Sequence, residues 1–433
     1  MKKKISVHDL QQGMYVSEMV GREWRETPFL FQGFEIHSDD QIQELQQYCQ
    51  EVYIDTEQGY DIRSKVRPMA ATIITKSSLQ TKPRSPANAT AKIIDIKEIV
   101  KKFSPGHRYV PRYQDLTVLE EEIGYAKEAV AHTRETVYDI MSDVRLGRSV
   151  NTSVAKKVVA DMVDSVIRNP DALMCLNQLR NKDEYTALHS LRVCVLALAF
   201  GRHLDLTPEE LNVLGIGALL HDIGKMKVPN EIINKPEKLT NQEFEIMKTH
   251  VPCGVAILEN THGIPDTAID VARFHHERYA GSGYAMGMKG EDIGLFGSIG
   301  AIVDCYDAIT SDRSYHTAIS AHEALNKMYS WRGKDFQPVM IEQFIQCMGI
   351  YPIGSVVELN NGSVGVVISI NRKRRLKPKV ALVLKPDKTP LPAAKVIDLM
   401  SHPDIRNRDM EIRRVLSPAD FKINPTDYIP LGA

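Results

Sequence analysis

Five histidines and two aspartates, His189, His221, Asp222, His250, His275, His276 and Asp304, recur over about a quarter of a 433-residue chain, each within or at the edge of an apolar helical stretch. His221-Asp222 follows Ala218-Leu219-Leu220, and His275-His276 follows Ile269, Val271, Ala272 and Phe274. Asp304 stands in an otherwise apolar segment from 298 to 309, and His189 shares the stretch 183–204 with Leu191, Val195, Leu198 and Ala199. A carboxylate behind such a run is costly to bury unless it binds a cation or accepts several hydrogen bonds. The fold must therefore bring several helices together around one polar centre. Several neutral imidazoles, with a carboxylate able to reach two ions, are the donor set of a divalent-metal pair. That chemistry points to a metal-dependent hydrolase.

Local geometry refines the set. Neighbouring helical residues diverge by about 100°, so His275 and His276 can share a centre only where their helix ends. Two metals, or one metal and one substrate contact, resolve this. His250 precedes Val251-Pro252, which predicts a helix kinked or broken just beyond it and an imidazole exposed at the helix end. Asp307 lies three residues after Asp304 on the same helix face and is expected to partner a ligating histidine. Gly224 and Gly263 read as helix stops. Thr207-Pro208-Glu209-Glu210 and Thr240-Asn241-Gln242-Glu243 read as capped helix starts.

The chain is expected to be mainly α, with an all-α helical bundle between a small N-terminal α+β module and a small C-terminal β module. Residues 1–75 carry short strands at 5–7, 13–16, 29–34 and 52–55 around a helix at 40–50. Residues 76–115 read as linker, on the strength of the Ser-, Pro- and Lys-rich run 76–92. Residues 116–350 are helical, with the candidate core at 180–345. Strands at 355–359, 364–370 and 380–384, with the hairpin signal Asn360-Asn361-Gly362, place a β module at 351–400. Residues 401–433, with Pro418, Pro425 and Pro430, read as an irregular tail.

A formal net charge of −1 provides no overall field for DNA, RNA or an anionic membrane, so an anionic substrate must be held locally. Cys49, Cys175, Cys194, Cys253, Cys305 and Cys347 form no CxxC pair, which fits reduced thiols. The lysines at 2–4 are followed by no apolar signal core, and no continuous run of 18 apolar residues occurs; no membrane span and a cytoplasmic location are expected.

Residues 180–345 resemble the HD-GYP family, the HD-domain phosphohydrolases that open bacterial cyclic dinucleotides. The resemblance rests on Tyr185-Thr-Ala-Leu-His189-Ser-Leu-Arg192, Leu220-His221-Asp222-Ile223-Gly224-Lys225, Met247-Lys248-Thr249-His250, His275-His276-Glu277-Arg278, Gly281-Ser282-Gly283-Tyr284 and the run from Asp304 through Asp307 to Arg313 and Tyr315. It implies that His189, His221, Asp222, His250, His275, His276 and Asp304 are ligands, with Asp222 bridging two divalent ions (Fe, Mn, Ni or Zn). It further implies that Lys225 and Arg313 hold substrate phosphate, Lys225 assisting catalysis, and that the product is a linear 5′-phosphorylated dinucleotide. Tyr284 is a candidate for stacking on a base. The flanks resemble the N-terminal domain of unassigned function and the C-terminal tail found with some members; either is a place for a signalling partner or a second copy of the chain to bind.

Four positions depart from the family pattern. Tyr185 replaces the Glu that serves a third metal, and Glu184 is rotated by roughly 140° from His189, so two metals are expected. Ala280 and Ala285 replace the Asp and Pro of the HHExxDGxGYP loop, which bears on loop stiffness and on the choice between cyclic di-GMP and 3′,3′-cyclic GMP-AMP. Gly300 replaces a common Arg, which would loosen a phosphate or carboxylate contact. The basic run Arg372, Lys373, Arg374, Arg375, Lys377 and Lys379 reads as an exposed hairpin. The competing functions are a degenerate nucleotide sensor or scaffold and a general nucleotide phosphohydrolase; the complete ligand set weighs against the first, Lys225 and the 281–284 loop against the second.

Overall fold

The computed structural model describes residues 2–21, 33–36, 39–56, 59, 95–104, 110–178, 185–311, 318–372, 374–401 and 408–429. Two compact units divide the chain, Met1–Ile93 and Ile94–Ala433. The first holds β1 (Lys2–Ser6), β2 (Tyr15–Met19), β3 (Phe34–Glu35), α1 (Asp39–Tyr48) and β4 (Glu51–Asp55). Its strands pair antiparallel in the order β1-β4-β2-β3. Ile5, Val16, Val52 and Ile54 alternate with outward residues along their strands and close on Leu45 of α1, as the period of two requires. Trp24, residues 29–32 and the run 76–92 lie outside the described residues.

The second unit is built on helices: α2 (Ile96–Phe103), α3 (Leu119–Arg145), α4 (Thr152–Arg168), α5 (Pro170–Leu176), α6 (Tyr185–His203), α7 (Pro208–Leu220), α8 (Asn230–Ile233), α9 (Asn241–Lys248), α10 (His250–Glu259), α11 (Asp266–Phe274), α12 (Gly294–Thr310), α13 (Ala321–Ser330) and α14 (Pro338–Met348). From Leu188 onward α6 is buried nearly all round, and most of α7 with it, as helices apolar on every side must be. Both expected capping boxes form, at Thr207 with Glu210 and at Thr240 with Glu243. The segment Gly290–Thr310 is long and apolar enough to cross a membrane, but 78% of its most apolar 18-residue stretch is buried inside the protein; α12 is a core helix.

Helix α2 corrects the expectation of linker through 115. Asp95 caps it, Ile96 and Ile99 are buried, and Lys102 Nζ donates to Asp205 Oδ2 at 2.9 Å. Eight residues beside a Pro- and Lys-rich run carry too few apolar positions to stand out as periodic.

A five-stranded antiparallel sheet in the order β8-β7-β6-β5-β9 closes the chain: β5 (Val356–Leu359), β6 (Val364–Ser369), β7 (Lys379–Leu384), β8 (Pro390–Asp398) and β9 (Ile412–Leu416). The β5–β6 hairpin turns at Gly362, whose φ of 87° favours glycine. Strand β9 corrects the expectation of an irregular tail, since it pairs with β5 from Val356↔Leu416 to Leu359↔Ile412. It returns from a distant point in sequence with Arg413 and Arg414 between its apolar ends, so no local alternation announced it.

The basic run lies on the β6–β7 hairpin, with Arg372, Arg374 and Lys379 exposed as expected, but part of it also makes contacts that were not foreseen. Arg372 donates to Asp115 Oδ2 at 2.8 Å and to Asp171 Oδ1 at 2.5 Å, and Arg375 donates to Gln346 at 2.7 Å. These contacts tie the sheet to the helices; Lys373 lies outside the described residues.

Candidate metal centre

The close approach of two backbones sets the centre. After α7 the chain tightens into a 3₁₀ turn, Ile223–Lys227, and a Cβ on Gly224 would stand 1.9 Å from the His250 carbonyl oxygen and 2.4 Å from the Gly254 nitrogen. Gly224 is thus a contact glycine rather than a left-handed helix stop. The contact lays the start of α10 beside the end of α7. His250 opens α10 rather than ending a helix, and Pro252 sits in the first turn, where a missing N–H costs nothing. The His250 imidazole is buried, contrary to the expected exposure. His275 caps the end of α11, so His275 and His276 leave the helix where both can face inward. α12 packs against α11 at Gly300, where a Cβ would meet Val271 Cγ1 at 2.9 Å; Gly300 serves helix approach, and a large side chain there would force α12 away.

All seven residues meet. Asp222 Oδ2 lies 3.5 Å from His189 Nε2 and 3.4 Å from His221 Nε2. Its other oxygen, Oδ1, lies 3.4 Å from His250 Nε2 and 3.8 Å from His275 Nε2. Asp304 Oδ1 is 3.1 Å from His189 Nε2, and Asp304 Oδ2 is 3.8 Å from His276 Nδ1. The donors sort into His189, His221 and Asp304 on one side and His250, His275 and His276 on the other, and each trio keeps its donor atoms within 4.8 Å of one another. Asp222 turns one oxygen to each side.

The far ring nitrogens explain why Nε2 faces the centre. Nδ1 of His221 donates to Ala218 O at 2.8 Å, Nδ1 of His250 to Met247 O at 2.7 Å, and Nδ1 of His275 to Ala272 O at 2.9 Å. A carbonyl only accepts, so the proton is held on Nδ1 and Nε2 presents a lone pair. His250 Nε2 and His275 Nε2 then face each other 3.3 Å apart with no proton between them, and His221 Nε2 and Asp222 Oδ1 are buried without any hydrogen-bond partner. Orphaned acceptors converging in a buried space fit divalent cations.

The electrostatics agree. Burial pushes the imidazoles of His221, His250 and His276 down and that of His275 down to about 3. Burial opposes charge on Asp222 and Asp304, yet Lys225 and the surrounding imidazoles outweigh it at Asp222, as His189 and its neighbours do at Asp304, and both carboxyls lie well below the usual range. Neutral imidazoles and charged carboxylates are the ligating forms. His189 differs: burial is outweighed by hydrogen bonds to Asp304 and Asp307, which raise it, so a cation would displace a proton there. Asp307 Oδ2 accepts from His189 Nδ1 at 2.7 Å, while Arg192 Nε donates to Asp307 Oδ1 at 2.6 Å. The role expected for Asp307 matches this contact; Arg192 behind it was not anticipated, its only signal being proximity to His189.

Around the centre, Lys225 Nζ donates to Asp222 Oδ2 at 2.5 Å. Tyr284 stacks on His276, with ring centroids 4.5 Å apart and planes at 27°, so one face of the tyrosine covers a candidate ligand. Glu277, fully buried, accepts from the backbone nitrogens of Met286, Gly287 and Met288 at 2.7, 3.1 and 3.0 Å, and Ala280 N donates to Lys334 O at 2.7 Å. The 281–288 loop is therefore held through backbone groups, needing neither side chain lost at 280 or 285. Only the adjacency of Glu277 to His276 hinted at this clamp. Arg313, Glu184 and the side chain of Tyr185 lie outside the described residues.

Residues 169–339 match the HD domain family, residues 2–155 a domain of unknown function (DUF3391), and residues 356–424 the KOW domain associated with HD domain. A cyclic di-GMP phosphodiesterase of Pseudomonas aeruginosa is 35% identical over 402 residues, covering 92% of this chain and 89% of that protein. The chain belongs to the HD-GYP phosphodiesterase family. Two further relatives are a cyclic di-GMP phosphodiesterase of Thermotoga maritima, 30% identical over 58% of this chain and 68% of that protein, and 3′3′-cGAMP-specific phosphodiesterase 2 of Vibrio cholerae, 32% identical over 39% of this chain and 33% of that protein. As an HD-GYP protein this chain is a metal-dependent phosphohydrolase, with the family's fold on the helical unit.

Proposed function

We propose that this protein hydrolyses a bacterial cyclic dinucleotide, cyclic di-GMP before others, using two divalent ions held by His189, His221, Asp222, His250, His275, His276 and Asp304. The division of the Asp222 carboxylate, one oxygen toward each imidazole set, carries the reading. When bound, the ions, drawn from Fe, Mn, Ni or Zn, supply a hydroxide at neutral pH and neutralise phosphoryl charge. Asp307 holds His189 in the ligating orientation. The Lys225 ammonium, on the rim of the site, offsets charge gathering on a non-bridging phosphate oxygen, as Arg313 is proposed to do. Net hydrolysis would place the oxygen of a water on phosphorus and break the P–O3′ bond, one proton of that water ending on the 3′ oxygen and the other passing to solvent. A linear dinucleotide with a 5′ phosphate results.

The 35% identity over 92% of this chain to a cyclic di-GMP phosphodiesterase supports cyclic di-GMP as substrate. 3′,3′-Cyclic GMP-AMP is the second reading, supported by the 3′3′-cGAMP-specific relatives and by the altered alanines at 280 and 285. Incubating metal-loaded protein with each dinucleotide and following linear product separates them. Turnover of neither would remove the proposal in favour of a sensor that binds without cutting.

A further inference from the structure

Helix α9 carries a feature that folding alone does not require. It has no buried residue. Polar contacts fix it instead: Glu243 closes the capping box with Thr240 and accepts from Lys235 Nζ at 2.7 and 2.8 Å. At its other end Met247 O accepts from the candidate ligand His250. Yet α9 presents Phe244, 44% exposed, beside the metal centre. The Phe244 ring meets Tyr284 edge-on at 5.9 Å, and Tyr284 stacks on His276. Lys248 Nζ lies 5.2 Å from the centroid of Phe244 and 5.8 Å from that of Tyr284. An aromatic ladder crossed by one cation thus runs from the candidate ligands to solvent.

We infer that Phe244 and Lys248 form a substrate subsite, Phe244 stacking on a purine base and Lys248 taking the adjoining phosphate; this rests on the cyclic-dinucleotide reading above. An exposed phenyl face supplies the sequence-tolerant stacking that unpaired bases use. The Lys248 ammonium is paired with Glu245 at 2.6 Å, but that carboxylate is 70% exposed, and such a pair yields readily to a phosphate. With one Tyr284 face committed to His276, Phe244 extends the stacking surface away from the ions. A base placed there directs its sugar-phosphate back toward Lys248 and the centre.

The test measures KM and kcat for cyclic di-GMP with Phe244→Ala, Phe244→Trp, Lys248→Gln and Lys248→Arg in the metal-loaded protein. Phe244→Ala should keep wild-type metal content and raise KM about tenfold, mostly without loss of kcat, and Phe244→Trp should restore it. Lys248→Gln should raise KM several-fold and Lys248→Arg recover most of the loss. KM unchanged in both Phe244→Ala and Lys248→Gln overturns the subsite. If Phe244→Ala loses metal or fold, the Phe244→Trp indole decides the matter: quenching by saturating cyclic di-GMP beyond that of wild type supports the subsite, and none overturns it. Absence of wild-type turnover would sink the functional reading alone, because the quenching measurement requires binding and not catalysis.

Discussion

Gly224 and His250 touch backbone to backbone: a Cβ on Gly224 would stand 1.9 Å from the His250 carbonyl oxygen. With nothing larger than hydrogen between them, the turn after α7 and the first turn of α10 dock directly, and Asp222 Oδ1 comes to 3.4 Å from His250 Nε2. Gly224→Ala must push against backbone that cannot rotate away. It is expected to cost about 2–3 kcal/mol and to lower metal content, measured by urea unfolding and by metal analysis of the same preparation. A loss under about 0.5 kcal/mol with full metal content would contradict this packing.

Asp307 spans His189 and Arg192 inside the protein. Asp307→Asn keeps the shape but removes the charge that holds both. Metal affinity or activity should fall about 10- to 100-fold, read by competition with a chelator. Activity and affinity equal to wild type would mean that His189 needs no such partner.

Acid should destabilise the protein through His203, away from the metal centre. Burial pushes this imidazole down to about 4 despite its contact with Gln343. The neutral ring is therefore favoured by folding: the unfolded chain takes up a proton near pH 6.5 while the folded one resists until about 4. Its contribution to stability is intact above pH 6.5 and is lost progressively between 6.5 and 4, by about 3 kcal/mol. His203→Asn should flatten that part of the stability–pH curve. An unaltered slope would show that His203 is not the group responsible.

Strand β9 covers one edge of β5. A chain ending at Met400 loses Ile412 and Leu416 from the sheet and leaves that edge unpaired. Stability should fall by about 3 kcal/mol or more, with aggregation visible by light scattering. A truncated protein that stays monomeric with an unchanged denaturation midpoint would restore the reading of residues 401–433 as a mere tail.

Much of the centre was legible because ligand chemistry leaves a chemical mark. His221-Asp222 and Asp304 are polar groups in apolar helices, and burial without a partner is too costly to be accidental. The capping boxes at Thr207 and Thr240 were equally plain, since each is complete within four residues. α2, β9 and the Arg372 contacts were not legible. Each is stabilised by partners distant in sequence: Lys102 bonds Asp205, Ile412 pairs Leu359, and Arg372 reaches Asp115 and Asp171. Pro252 misled for a related reason: proline breaks a helix interior yet suits a first turn, and only the boundary of α10 distinguishes the two.

By itself the sequence determined the donor types, the helical frame that carries them and the order of the modules, because residue chemistry and periodicity are local. Tertiary structure alone decided that the two oxygens of Asp222 face different imidazole sets, that Asp307 reaches His189 from 118 residues away, and that Phe244 stands beside Tyr284. A helix specifies the direction in which a side chain leaves its own axis. Packing between helices, here through the bare contact of Gly224 with α10, sets the ångström distances on which coordination depends.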